Sequence, residues 1–479
     1  MGHPSVYPTG TTIYDNDKAW NGYTIFPSVK GALLIDMNGR EVNLWAGLSG
    51  FPNKIIPGGY VIGSSGAHTG KKSYQDQRDL IQVDFDGNVV WKFVNTEQID
   101  GEWVARQHHD FQREGSPVGY FAPGQEPLVS GKTLLLTHEN VINKDISDVE
   151  LLDDKVVESD EQGNILWSWR ASDHFYEFGF NDDAKRVLRQ NPNITGPAGG
   201  DWLHINSMSA LGPNKRYDDG DERFHPDNLI LDSRNANILF IVSKQTGRVV
   251  WRLGPDFSES EEGKIGWIIG QHHFHLIPQG LPGEGDFLVF DNGGAGGYGL
   301  PNASSKDGRN NVIRDHSRIL QFDPITLNVT WQYTHSEAGH SFLDASKFYS
   351  SFISSAQRLP NGNTLITEGA DGRLLEVSPE HDIVWEYINP YYHEFFGGFR
   401  SNMVYRAYRA PYEWVPQLER PAETSIAPVD VSAFRVKCAA PGGGRIAEVD
   451  GISVDRKALT GMSDVSESEV AKDDFCIVK

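Results

Sequence analysis

The sequence predicts an all-β fold, a six-bladed β-propeller, on three observations. Six short strands end in tryptophan, at Trp45, Trp91, Trp167, Trp251, Trp331 and Trp385. Each closes a hairpin of one design: an apolar strand, a turn of Asp, Asn or Gly, and a second strand, as in LLIDMNGREVNLW, LIQVDFDGNVVW and LLEVSPEHDIVW. Upstream of most copies stands a second repeat: an inner-type strand, a turn rich in Pro, Gly and Asn, and a further apolar run. The third observation concerns the ends. Trp45 closes a hairpin with no inner strand before it, and the last inner-type segment, Met403–Val415, has no hairpin after it.

Taken in order, strands around Tyr23–Phe26, Ala32–Asp36 and Glu41–Trp45 form three-quarters of a blade. A strand around Val404–Tyr412 is expected to complete it, so that N- and C-terminal strands close the ring and leave no open sheet edge. The next unit ends at Trp91. HHDFQRE opens the unit ending at Trp167, LHINSMSAL that ending at Trp251, HHFHLIP that ending at Trp331, and SSAQRLP that ending at Trp385. Long connections around Asn140–Asp153 and Phe175–Gly200 are expected to cover one mouth of the channel. A repeat ring counts as one domain whatever its length, here residues 1–416. Beyond it the register is lost, and residues 417–479 are expected to form a small appended β segment.

The net charge of −22 argues against a nucleic-acid partner, which needs a basic surface. No apolar run reaches the roughly 18 residues of a membrane span, so no membrane partner is expected. A homodimer is compatible with the chain. Cys438 and Cys476 can pair in an oxidising compartment. Sequons stand at Asn193, Asn302 and Asn328. Together these favour a secreted or periplasmic address, although Met1–Gly10 is not a signal peptide.

The repeat also serves as a ruler. Inner strands end near Pro57, Gly115, Gly212, Pro278, Pro360 and Pro411, and six residues back stand Phe51, His109, Asn206, His272, Ser354 and Tyr405. In six-fold symmetry these positions ring the axis. His204 lies two residues before Asn206 with the same strand parity. A slip of one residue would substitute His108 or His273. A single histidine on a strand is usually structural, but several from separate inner strands indicate a functional site in the channel. Such a group can bind a metal, exchange protons near neutral pH, or supply a nucleophile while an arginine holds an anion. Arg234, Arg318 and Arg358 are the candidate anion holders. No Asp or Glu occupies the ring, which disfavours a metal centre, and none is assigned. His225 and His316 read as loop residues.

DWLHINSMS followed by NLILDSRNANILFIV, QHHFHLIP followed by FLVFDNGG, and RLPNGNTLITEG followed by RLLEV together resemble the arylsulfate sulfotransferase family. YPTGTTIYD and YRAYRAPYEWVP agree, so the resemblance spans roughly residues 7–415. It implies transfer of a sulfuryl group from an aryl sulfate ester to a phenol through a sulfohistidine, with no cofactor and no nucleotide donor. Its partners would then be a small aromatic sulfate and a phenol.

The family's nucleophile falls on His272, its sulfate-binding residues on His204, Asn206 and Arg234, and its remaining histidine on His109 or His108. His273, Ser354, Tyr405 and Asn292 are expected to complete the substrate site. The chain departs from the family's better-studied bacterial members: it has no N-terminal β-sandwich-like domain and carries an insertion at Pro213–Pro226. A hydrolase or lyase using the histidines as metal ligands or acid–base pairs, or a non-catalytic binding propeller, are the competing readings.

Overall fold

The computed structural model describes residues 8–70, 75–192, 199–257, 264–394, 398 and 400–430. The chain divides into two compact units, Met1–Ile426 and Ala427–Lys479. Residues 431–479, with Cys438 and Cys476, lie outside the described residues, as does Asn193.

The first unit is a six-bladed β-propeller. Blade 1 runs, from axis to rim, Tyr408–Ala410, Tyr23–Ser28, Gly31–Ile35 and Glu41–Ala46. Blade 2 is Lys54–Ile56, Tyr60–Gly63, Asp79–Val83 and Val89–Val94, and blade 3 is Gln107–Arg113, Thr133–Val141, Leu151–Ser159 and Ile165–Arg170. Blade 4 is Ile205–Ala210, Leu229–Ser233, Ile238–Val242 and Val249–Leu253. Blade 5 is His272–Leu276, Phe287–Asp291, Arg318–Phe322 and Val329–Tyr333. Blade 6 is Ser355–Arg358, Thr364–Glu368, Arg373–Val377 and Ile383–Ile388. All pairings are antiparallel.

Closure follows the expected pairing: Tyr23 faces Ala410 and Ile25 faces Tyr408. One strand was not legible. Gly10–Tyr14 adds a fifth, outermost strand to blade 6, with Tyr14 opposite Trp385. The N-terminal segment therefore stitches blade 6 to blade 1. Deleting residues 1–30 would strip the rim of blade 6 and the second strand of blade 1 together. The whole ring should then lose stability, read as a lower and broader thermal transition; an unchanged cooperative melt would count against closure as the stabilising device.

The repeated tryptophans have a common task. Each indole Nε1 donates to a carbonyl in the hairpin turn of the next blade: Trp45 to Asp84 at 2.8 Å, Trp91 to Glu161 at 3.0 Å, Trp251 to Pro324 at 3.1 Å, Trp331 to Pro379 at 3.1 Å and Trp385 to Met37 at 2.7 Å. Blade 3 differs from the repeat. There Trp169, two residues after Trp167 and on the same strand face, donates to Gly247 at 2.9 Å. The six bonds form a closed cycle around the rim. Each places a bulky ring against the next blade while satisfying its one donor.

Three inner strands are bridged at the axis by one carboxylate. Asp110 of blade 3 accepts from Lys54 Nζ of blade 2 at 2.8 Å and from Arg406, beside the inner strand of blade 1, at 2.8 Å. It also receives the Met208 amide of blade 4 at 3.3 Å. All three charged groups are buried. Burial would raise the Asp110 carboxyl, but the Lys54 and Arg406 charges outweigh it and hold the group below the ordinary carboxylate range.

Candidate active site

A cavity of about 750 Å³ opens where the inner strands begin. Every blade contributes to its wall: Phe51, His109, His204, His272, Ile353 and Tyr405, with Arg234 beside them.

The inner strands are irregular here, and the irregularity aims the side chains. Pairing registers shift between Gln107 and Phe111, between Ile205 and Ser207, and between His272 and His275. His109, His204 and His273 take left-handed backbone conformations, with φ of 47°, 53° and 54°. A bulge turns successive side chains off strict alternation. As a result His109 and His272 face the cavity at the ruler's offset, whereas in blade 4 it is His204, two residues earlier, that faces it.

His109 and His204 are neighbours, with ring centroids 4.5 Å apart. His204 Nδ1 lies 2.6 Å from the Asp201 carboxylate, which leaves its Nε2 for the cavity. His272 is held more tightly. Asn292 donates its amide nitrogen to the carbonyls of Ser350 at 2.7 Å and Ile353 at 2.9 Å, so its oxygen is the acceptor for His272 Nδ1–H at 2.8 Å. That fixes the tautomer: the proton is on Nδ1 and the lone pair on Nε2. The lone pair accepts the Ile353 amide at 3.1 Å. Burial, reinforced by the Arg234 charge, holds His272 well below the ordinary imidazole range, so it is neutral. Burial and the His204 charge do the same for His109.

Other sequence-predicted residues take supporting positions. Asn206 is buried and donates to the Gln271 carbonyl at 2.9 Å, tying blade 4 to blade 5. Tyr405 lines the cavity and donates to the His109 carbonyl at 3.1 Å. Ser354 bonds Ser350 Oγ at 2.8 Å. His273 points away, its Nδ1 2.9 Å from the Ala356 carbonyl. His108 is also turned from the cavity and stacks on His138 at 3.7 Å. Neither Arg318, on the Asp291 carboxylate at 2.8 Å, nor Arg358, on Gln321 at 2.6 Å, reaches the cavity wall.

Sequence reasoning passed over Asp201, Ile353, His68 and Met403. Asp201 could have been found, since an acid three residues before a ring histidine is a plausible orienting group. The cavity is lined by a neutral imidazole, His272, whose Nε2 lone pair is held by the Ile353 amide, by the imidazoles of His68, His109, His204 and His393, and by the Arg234 guanidinium. That combination can attack an electrophile and hold a tetrahedral oxyanion.

A family model described as Arylsulfotransferase (ASST) matches residues 124–396, more than half of the chain. The chain belongs to the arylsulfotransferase family. The match covers His204, Arg234 and His272 and begins after His109. No curated protein matches this arylsulfotransferase-family chain.

Among solved structures it is similar to a protein of unknown function from Bacteroides caccae, at 10% identity and a TM-score of 0.41, covering 81% of this chain and 99% of that one. It is also similar to virginiamycin B lyase from Staphylococcus aureus, at 10% identity and a TM-score of 0.33, covering 78% and 86%. Both scores are too low to bear on chemistry.

Proposed function

We propose that the protein transfers a sulfuryl group from an aryl sulfate ester to a phenol, with His272 as the group carrier. The observation that carries this reading is the fixed tautomer of His272 beside Arg234. The Nε2 lone pair attacks sulfur, an N–S bond forms, and the S–O bond to the aromatic ring breaks. The aromatic oxygen departs as phenolate, accepting a hydrogen bond from the N–H of the neutral His109. In the second half the acceptor enters as a phenolate held by the same N–H, its oxygen attacks the sulfohistidine sulfur, the N–S bond breaks and His272 is freed.

Arg234 grips two sulfuryl oxygens, and His204, its ring held by Asp201, faces the third. The Ile353 amide must leave Nε2 before attack, and a sulfuryl oxygen is its natural new acceptor. Ile353 and Ser354 have φ of 53° and 92°. A β-branched residue in that region is strained, and strain at a site wall supports a segment that shifts on binding. We extend the proposal to an exported protein, since Asn302 and Asn328 are exposed sequons.

A chromogenic aryl sulfate assayed with and without a phenol tests the reading. Colour release that rises with acceptor concentration, with a sulfated phenol as product, is expected. Release indifferent to the acceptor would mean hydrolysis, and no release would end the proposal. Arg234→Lys should lower kcat/KM for the donor by roughly 10²-fold, because a point charge cannot reproduce a two-pronged grip. Unchanged kinetics would make Arg234 structural.

A further inference from the structure

Behind His109 lies a second histidine cluster that the transfer does not use. His108, His138 of the second strand of blade 3 and Asp154 of its third strand are all buried, and their ligand-type atoms lie within 4.8 Å of one another. We propose that these three residues form a buried site for one divalent transition-metal ion, with zinc the best fit, and that this ion sets the tautomer of His109.

Four observations point there. First, the spacing fits. Asp154 Oδ1 stands 3.5 Å from His108 Nε2 and 3.6 Å from His138 Nε2. Ligands at about 2.0–2.2 Å on a tetrahedron are about 3.3–3.6 Å apart. Second, His108 Nε2, His138 Nε2 and Asp154 Oδ2 are buried with no hydrogen-bond partner. Buried polar atoms seldom stay unpaired, and these belong to one cluster. Third, the outer shell is in place. His138 Nδ1 lies 2.6 Å from Asp76 Oδ1, the carboxylate–imidazole pairing that orients a metal-binding histidine.

Fourth, among the described residues no lysine or arginine forms an ion pair with Asp154, whose ion-pair partners are the imidazoles of His108 and His138 themselves. The Ile205 amide donates to Asp154 Oδ1 at 3.1 Å, and the Thr137 carbonyl also faces the His108 ring. The two rings are near parallel, at 7°, so each must swing about its χ2 for both Nε2 atoms to converge on one ion. Two imidazoles and one carboxylate suit zinc, and the same set with open positions suits iron(II).

The cluster communicates with the cavity through one contact. His108 Nδ1 lies 3.0 Å from His109 Nδ1. Ligation through Nε2 keeps the His108 proton on Nδ1, which then donates to His109. His109 must carry its own proton on Nε2, on the side left for the cavity. His108, His138 and Asp154 are thus positioning residues.

Elemental analysis of the full-length protein, purified without chelator and then equilibrated with zinc, tests the site. One zinc per chain is expected, and cobalt(II) in its place should show the visible absorption of a four-coordinate ion with imidazole ligands. Iron in place of zinc would keep the site and change the ion. His138→Gln and Asp154→Asn should each abolish uptake. In protein labelled with 15N-histidine, zinc should convert His109 to a single Nε2–H tautomer, and His138→Gln should restore a mixture. Wild-type protein that takes up neither zinc nor cobalt overturns the proposal without recourse to a variant. So does uptake that survives both substitutions, and His109 signals indifferent to the metal overturn its second half.

Discussion

Replacing His272 by alanine is expected to reduce sulfuryl exchange by at least about 10³-fold, because the covalent route disappears with its carrier. The two imidazoles beside it are held by different groups. His109 has its Nδ1 engaged with His108, and His204 has its Nδ1 on Asp201. Only His272 has its proton fixed on Nδ1 by an amide whose own orientation is fixed, leaving a neutral Nε2 lone pair.

Mass spectrometry of protein quenched during turnover with an aryl sulfate should find the added sulfuryl mass on the peptide containing His272. A fully active variant, or a label on another peptide, refutes the assignment. Asn292→Ala should act in the same direction and more weakly, since it frees the tautomer without removing the nucleophile.

The largest expected effect on stability comes from Asp110→Asn. The amide keeps the shape but removes the charge that Lys54 and Arg406 share. Two buried cations would then face each other without a counter-ion, and breaking one side of a buried ion network costs about 3–5 kcal/mol. Lys54 is already affected: burial drags it down to about 8 even with Asp110 beside it. A marked fall in the urea midpoint is expected. Replacing Lys54 by methionine in the same protein should recover part of it, since one stranded cation is gone. An unchanged midpoint would show that the triad contributes nothing to the ring.

Much of this architecture could be read from the sequence because a repeat amplifies weak local signals. One hairpin is ambiguous, whereas six that end alike are not, and the unmatched ends revealed the closure between Tyr23 and Ala410. The ruler placed Phe51, His109, His272 and Tyr405 on the cavity wall. It failed at Asn206, where a register shift resets the alternation, and at Ser354, where two successive residues take positive φ, so that His204 and Ile353 reach the wall instead.

A bulge of one residue leaves little trace in hydrophobic patterning, so periodicity could not locate it. Asp110, His138 and Asp154 escaped for another reason. Their partners lie on other strands or blades, and a polar residue within an apolar run reads as solvent-facing until the sheet beneath it is known. Trp169 escaped because its neighbour Trp167 already satisfied the pattern.

The stitched ends have a consequence for how the protein is made. Blade 1 needs Tyr408–Ala410 for its innermost strand, and Gly10–Tyr14 needs Ile383–Ile388. During synthesis the first 46 residues emerge with neither partner available. At about 5–20 residues per second the ribosome takes roughly 20–80 seconds to reach them. For that interval three strands rich in Ile, Leu and Phe present an unpaired flank that any passing strand could capture. The nascent chain should therefore depend on holding chaperones until its last blade is translated, and a circular permutant opened in the Phe175–Gly200 connection, which makes blade 1 continuous, should need them less.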